Sequence, residues 1–343
     1  MTMTTLRLLS YNILMGGTGR LAHIERICER SQADIVILQE AIDDSPLLEM
    51  AGRLGMKAIC APPSPVSSSH VVILSRVPID DWRVHQHPDM LRYHLECDVT
   101  PSPRIGTIRI HGIHLAARFG ERANGEVRRL KEIGRILDDI HREDDVNHHL
   151  LMGDFNSIAP KDVVRATLFF ERLRRLKEAG LFIPDEELPK LRSLRVRHLR
   201  GRHSLIDSPE SLSTVGIAPH LAPSIQPLPN IAMLATSWMP VNHRLDLILG
   251  RGIRRWTVQK ILDNGFSDCY RLKHPRTRGF TCATWVPATR IDYAFVTKNL
   301  VPYVDACDVV GSLRRPDRDV QHASDHFPLY LELHFPPDRT SST

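Results

Sequence analysis

The chain has 343 residues, 42% hydrophobic and 25% charged, with a formal net charge of +5 at neutral pH. This is ordinary globular composition for one large α/β domain or two small ones, with a core large enough that folding needs no disulfide or metal staples. The mild basic excess favours an acidic partner such as nucleic acid, an anionic lipid surface or a phosphorylated metabolite.

In chain order, the opening MTMTTLRLLSYNIL lacks a basic segment followed by a long apolar one, so it reads as a leader into a strand and not as a signal peptide. No apolar run reaches the roughly 18 residues of a membrane span. Short apolar runs at 6–13, 35–38, 71–74, 105–114, 149–152, 291–296 and 329–333 have the length and polar boundaries of buried strands. Between them, helical spacing covers 21–30 (Leu21, Ile24, Ile27, Cys28) and 121–141 (Val127, Leu130, Ile133, Leu137), and a further helix is expected at 163–179. Residues 165–204 carry eleven Lys or Arg against five Asp or Glu. Residues 208–230 hold five prolines and few charges, the composition of a long irregular loop or lid. No solenoid repeat is present. Cys28, Cys60, Cys97, Cys269, Cys282 and Cys307 include no C-x-x-C pair, which predicts reduced, mostly buried thiols in a cytoplasmic protein.

The candidate chemistry lies at strand ends. Hydrolysing a phosphate ester takes a hard cation on the phosphoryl oxygens, a water aimed in line and a stabilised leaving oxygen. Asn12, closing LLSYN, is an amide that can hold a metal-bound water or a phosphate oxygen, or simply cap a turn. Glu40, closing ADIVILQE, suits a cation, or is a solvated strand-end charge. In LLMGDFNS, a glycine-permitted turn followed by alternation would set Asp154 and Asn156 on one side, where carboxylate and amide can orient a water; a plain Asx-turn is the bland alternative. SDHFPLYLEL places Ser324, Asp325 and His326 at the start of the last strand. Asp292, mid-strand in TRIDYAFV, needs a partner, either His326, whose tautomer it would fix, or a structural ion pair with Arg290. His114 ends its strand, with His111 facing the other way. His148 and His149 read as surface and strand-start residues, and Trp285 as core or substrate platform.

Taken in order, these residues resemble the endonuclease/exonuclease/phosphatase superfamily, the deoxyribonuclease-I-like fold. HVVILSRVPI is similar to its "ILSR-P" strand, and GFSDCYR followed by TCATWVPATRIDYAFV to its late Asp-x-x-Arg and Thr-x-x-Trp region. The likeness covers 6–165 and 265–333. It implies an α/β (α+β) four-layer sandwich of two mixed β-sheets flanked by helices. It implies one domain over 1–338, with a basic and Pro-rich insertion at about 166–250 and a disordered tail at 339–343.

The resemblance also implies roles. Glu40 would be the principal Mg²⁺ ligand (Mn²⁺ being a substitute), with Asn12 and Asp325 as further ligands and Asp154 reaching a second metal position. Asp154 and Asn156 would orient or activate the water. His326, held by Asp292, and His114 would contact the scissile phosphate, with the general base either Asp154 or His326. Asn12, Asn156 and His114 would bind substrate. The basic stretch at 165–202, which includes Arg172, Arg174 and Arg175, reads from its charge either as a solvated helix face or as a substrate-binding contact to a phosphate backbone. His70 stands where the family often has a small residue. Tyr11 precedes Asn12 and Gly16–Gly17 follow, unlike the Trp-x…Asn-Gly pattern of dedicated abasic-site endonucleases. HRLDLIL mimics RIDYAFV, and Asp246 is taken as a decoy. The leading expectation is a monomeric Mg²⁺-dependent phosphodiesterase acting on nucleic acid. The alternatives are a phospholipid or sphingomyelin-type phosphodiesterase touching a membrane peripherally, a small-molecule phosphatase, and a non-enzymatic binding module.

Overall fold

The short apolar runs pair into two six-stranded sheets in a computed structural model that describes residues 5–88, 90–117, 125–142, 146–171, 241–312 and 315–337. One sheet contains β1 (Thr5–Asn12), β2 (Ile35–Ala41), β3 (Lys57–Cys60), β4 (His70–Ser75), β11 (Val304–Val309) and β12 (Leu329–His334), in the order β11-β12-β1-β2-β4-β3. The other contains β5 (Asp81–His85), β6 (His94–Val99), β7 (Ile108–His114), β8 (His148–Asp154), β9 (Phe266–Asp268) and β10 (Asp292–Thr297), in the order β5-β6-β7-β8-β10-β9. Each sheet has one parallel pair at its centre, β1 with β2 and β7 with β8. A parallel pair needs a crossover, and helices α1 (Leu21–Ser31) and α3 (Gly125–Arg142) lie in those connections.

Alternation along the strands sorts the side chains into layers. Leu6, Leu8, Ile35, Ile37, Val71 and Ile73 of the first sheet meet Leu95, Cys97, Ile108, Ile110, Leu150, Met152, Ala294 and Val296 of the second. Leu9, Tyr11, Val36, Leu38, Val72 and Leu74 face outward, under α1, α2 (Asp44–Arg53) and α7 (Arg318–Ala323). Ile113, Leu151, Phe155, Tyr293 and Phe295 face α3 and α5 (Trp256–Asp263). The result is the expected four-layer sandwich. Each fully buried aliphatic side chain contributes about 1.5–3 kcal/mol, so the shared inner layer is the main source of stability.

Two glycines let backbones approach. A Cβ on Gly112 would sit 2.9 Å from Val71 Cγ1, across the two sheets. Gly153, at φ 151, lies within β8 and not in a turn after it, contrary to the sequence expectation; a Cβ there would fall 1.9 Å from the Ile113 carbonyl oxygen on β7.

Other expectations shift. The run at 105–114 becomes a strand only from Ile108, because Gly106 turns the chain with φ 74. Asp292 opens β10 and is not mid-strand, since Ile291 and Asp292 both donate backbone N–H groups to Thr281 Oγ1. The helix expected at 163–179 starts only at 166, with 163–165 irregular and 166–171 helical, while 172–179 and the 208–230 loop lie outside the described residues. HRLDLIL is not a strand but most of α4 (His243–Arg251), where Asp246 accepts from Thr167 N and Oγ1, both at 2.8 Å. The short helix α6 (Cys269–Lys273) follows β9. Among the described residues no helix is long and apolar enough to cross a membrane.

The outer face of the second sheet also carries a row of imidazoles. His87, His85, His94, His111 and His149 stack in sequence across β5 to β8, with centroids 5.0 Å apart for His85–His94, 5.1 Å for His94–His111 and 5.3 Å for His111–His149. His149 is therefore buried and not at the surface as expected. Burial and His111 hold His94 well below the ordinary imidazole range, and the same causes bring His149 to about 4.

Two outcomes follow. Gly153→Ala is expected to cost about 3 kcal/mol or more through strain and overpacking, read as a lower denaturation midpoint. The six cysteines are free, but burial raises Cys28, Cys60 and Cys97 to about 12 and Cys282 to about 11, with Cys269 and Cys307 also well above the ordinary thiol value. A raised thiol pKa leaves little thiolate at pH 8, so thiol titration of the native protein should show no fast-reacting group, and all six should react after denaturation.

Candidate active site

At one end of the sandwich the inner-facing rows turn from apolar to polar. In β7 the inner row runs Ile108, Ile110, Gly112, His114; in β8 it runs Leu150, Met152, Asp154; in β10 it runs back from Val296 and Ala294 to Asp292. Register does the rest. The parallel pairing of β7 and β8 sets His114 opposite Asp154, and the antiparallel pairing of β8 and β10 sets Asp292 opposite Asp154. Three strands thus bring three titratable side chains into one row.

His326 joins from the loop between α7 and β12. It lies before the strand, not at its start, because β12 begins only at Leu329, after Pro328. Its Nδ1 is 3.1 and 3.0 Å from the two Asp292 carboxylate oxygens, and its Nε2 is 3.9 Å from Asp154 Oδ2. His114 Nε2 is 3.8 Å from the same Asp154 oxygen. Asp154, Asp292 and His326 offer ligand atoms all within 4.8 Å of one another. Arg290, the other partner weighed for Asp292, pairs with Asp162 and Asp268 instead.

The first sheet supplies the facing corner. Asn12, the last residue of β1, donates from Nδ2 to Glu40 Oε1 at 3.2 Å and to Asp154 Oδ2 at 3.0 Å, while its Oδ1 accepts from Leu14 N. The amide bridges the acids of the two sheets. Glu40 has φ 63, at an irregularity in the β2–β4 pairing, and its Oε2 accepts from Met15 N at 2.8 Å. Ser324 Oγ donates to the Asn12 carbonyl at 2.6 Å, anchoring Asp325 beside this corner. Among the described residues Glu40 and Asp325 do not enter a cluster of His, Cys and acid ligands as tight as that around Asp154.

Asn156 reaches the site by a different route from the alternation expected. The chain leaves β8 in an Asx-turn, Asn156 N donating to Asp154 Oδ1 at 2.8 Å, with Asn156 itself at φ 48. Its Nδ2 then donates to Leu115 O at 3.1 Å and Asp154 Oδ2 at 3.2 Å. The turn and the functional arrangement are one structure.

Burying this much charge perturbs it. Burial and Asp292 push Asp154 up to about 7, and burial, aided by Glu40 and opposed by His326, raises Asp325. Burial works against a charged His326, yet Asp292, Cys282 and Asp154 together hold it well above the ordinary imidazole value. Burial, Arg92 and His326 hold His114 well below it, and its Nδ1 is buried without a partner. Two acids that resist ionising, beside a neutral imidazole with an unpartnered ring nitrogen, mark a site short of positive charge, and its possible ligands are mostly hard oxygens.

Arg172, Arg174 and Arg175 lie outside the described residues. Trp285 is half-buried against Phe169, its ring centroid 5.9 Å away. Sequence reasoning passed over Arg20, which is buried behind the Glu40 corner and donates to the Leu14 and Ala323 carbonyls. The 281–289 stretch, read for its Thr-x-x-Trp likeness, meets this corner through its backbone: Phe327 N donates to Thr281 O and Thr284 N to Asp325 O. Sequence reasoning also passed over Arg92 near His114. No spacing signal distinguishes these residues.

A family model described as Endonuclease/Exonuclease/phosphatase family matches residues 9–326. No curated protein matches the chain. Among solved structures, the chain is similar to an AP endonuclease from Archaeoglobus fulgidus at 16% identity and TM-score 0.54, covering 95% of this chain and 98% of that one. It is similar to the 3′ phosphatase NExo from Neisseria bound to product DNA hairpin at 15% identity and TM-score 0.55, covering 96% and 100%. An endonuclease/exonuclease/phosphatase from Beutenbergia cavernae matches at 17% identity and TM-score 0.54, covering 97% and 72%. At these identities the structural likeness shows the fold.

Asp292→Asn keeps the shape of the His326 partner and removes its charge. The imidazole should then lose its proton at lower pH, seen in an NMR titration of the histidines. Turnover on a phosphate ester should fall by about 10³–10⁴-fold with folding retained.

Proposed function

The chain belongs to the endonuclease/exonuclease/phosphatase family of phosphate-ester hydrolases, and we propose that it is a Mg²⁺-dependent phosphodiesterase that cuts nucleic acid by in-line attack of water. The observation that carries this reading is the buried row His114, Asp154, Asp292 and His326, facing Asn12 and Glu40 across the end of the two sheets.

In this reading Glu40, Asp325 and Asn12 would hold Mg²⁺, with Asp154 at the margin of the same corner. The oxygen-rich donor set fits a hard cation, and Mn²⁺ could take its place. When bound, the ion supplies positive charge for the phosphoryl oxygens. Asp154 and Asn156, fixed to each other through the Asx-turn, orient the attacking water, and Asp154 takes its proton. His326 donates from Nε2 while Asp292 holds Nδ1, and as the ester P–O bond breaks it passes that proton to the leaving oxygen. His114, neutral and short of a partner, binds a second oxygen. Asn12 keeps the carboxylates of the two sheets at a fixed separation.

Nucleic acid is the substrate class favoured by the basic balance of the chain and by the eleven basic residues in 165–204. The Neisseria relative, bound to product DNA hairpin, supports the same class. Arg172, Arg174 and Arg175 would contact the phosphate backbone, within an insertion at about 166–250 in a single domain over 1–338.

The test is hydrolysis in Mg²⁺ against EDTA, on single-stranded and duplex DNA, RNA, sphingomyelin and a phosphoinositide in parallel. Polynucleotides should be cut only with the metal, with steeply salt-dependent affinity. His326→Ala and Asp154→Ala should each cost about 10³-fold or more in turnover with folding largely kept. Cleavage of only a lipid or a small ester would overturn the substrate. Undiminished turnover in EDTA, or in both variants, would overturn the mechanism.

A further inference from the structure

We propose that the outer face of the second sheet carries a separate site for a zinc-type transition-metal ion, built from His85, His94 and Glu96. These residues lie on the face opposite the Asp154 row, and nothing in the phosphate-ester chemistry uses them.

Strand register assembles the group. In the β5–β6 pairing His85 lies opposite His94 and Arg83 opposite Glu96, and the β6–β7 pairing adds His111 opposite Glu96. His85, His94 and Glu96 offer three ligand atoms within 4.8 Å of one another. Glu96 Oε2 stands 3.2 Å from His85 Nε2 and 3.2 Å from His111 Nδ1. Zn²⁺ at about 2.0–2.1 Å from each of its tetrahedral ligands spaces them about 3.3 Å apart, a spacing that His85 and Glu96 already have and that His94 would reach by drawing in from within 4.8 Å. Two imidazoles and one carboxylate suit zinc, whereas the oxygen-rich corner near Glu40 suits a harder ion.

The surroundings resemble those of a metal site. Histidine ligands are normally oriented by a hydrogen bond on the second ring nitrogen. His94 Nε2 is 3.0 Å from His111 Nδ1, His111 Nε2 is 3.0 Å from His149 Nδ1, and His149 Nε2 meets the Val146 carbonyl at 2.8 Å. His85 Nδ1 faces Asp139 Oδ2 at 3.7 Å, and that carboxylate is fixed by His87 Nε2 at 2.7 Å. Arg83 and Arg109 approach Glu96 Oε1 at 3.3 and 3.7 Å, leaving Oε2 towards the imidazoles. The independent sign of a missing partner is His94 itself: it is 1% exposed, and its Nδ1 has no hydrogen-bond partner. An unpaired buried ring nitrogen is costly unless a ligand completes it. An ion here would fasten the edge strand β5 to its neighbour.

The experiment loads chelator-stripped full-length protein with Zn²⁺ in Mg²⁺-containing buffer, removes free ion by gel filtration and counts the bound metal. Co²⁺ loading supplies a visible spectrum of imidazole-ligated ion. His85→Asn and His94→Gln should each hold one equivalent fewer than the unmodified protein and lose the Co²⁺ bands. Glu40→Gln should leave that equivalent in place. His85→Asn alters the less buried ligand, so it tests the site even where His94→Gln disturbs folding, with circular dichroism as the check. Equal metal content in the unmodified protein and the folded His85→Asn variant would overturn the proposal. So would loss of the Co²⁺ bands in Glu40→Gln alone, which would place the ion in the candidate active site.

Discussion

The double pairing of β8 is the constraint on which the site depends. One strand is parallel to β7 on one side and antiparallel to β10 on the other, and the two registers bring His114 and Asp292 to the level of Asp154. A slip of one residue in either pairing would turn His114 or Asp292 away from the inner face, because side chains alternate with a period of two. The apolar inner layer specifies that register strongly, since the same slip would expose Ile110 or Ala294. Core packing and the geometry of the candidate site are therefore one requirement. Gly153 is where they meet, its missing side chain letting β8 lie against β7 one residue before Asp154.

Protein groups alone compensate the charge in this corner incompletely. Burial raises both Asp154 and Asp325. The local hydrogen bonds each hold a carboxylate in place without cancelling its charge: Asn12 on Glu40 and Asp154, the Asx-turn on Asp154, Met15 N on Glu40. His326 sits close as a charged partner, and it is already shared between Asp292 and Asp154, while Arg20 acts on Asp325 from behind the Glu40 corner. Such imbalance costs stability.

Much of this was legible in the sequence because buried strands announce themselves as short apolar runs and their ends as abrupt polar residues. Asn12, Glu40, His114, Asp154, Asp292 and His326 all stand at such boundaries, and the structure brings them together at one end of the sandwich. The half-exposed edge strands β3, β5 and β11 were not read, since their alternation is diluted by charge: β5 is DWRVH. The route by which Asn156 arrives was misjudged, because a turn and a strand continuation can both set residues two apart near each other. Arg20 and the backbone contacts of the 281–289 loop were out of reach for another reason. Their work is done through backbone carbonyls and amides distant in sequence, and such contacts leave no pattern in side-chain chemistry. His149 looked like a surface residue because its partners, His111 and His94, come from other strands.

The pairing of β1 with β12 joins Thr5 to His334 and leaves Ser324 clasping the Asn12 carbonyl. Nearly the whole chain must exist before the first strand finds this neighbour, a contact of very long sequence separation that is slow to form. While the chain is still being synthesised, β1 has an open edge, and Asp154 has His114 but neither Asp292 nor His326 beside it. The candidate site is thus completed late, by β10 and the segment leading into the last strand, and a chain broken off before Asp292 would hold Asp154 without either of these partners.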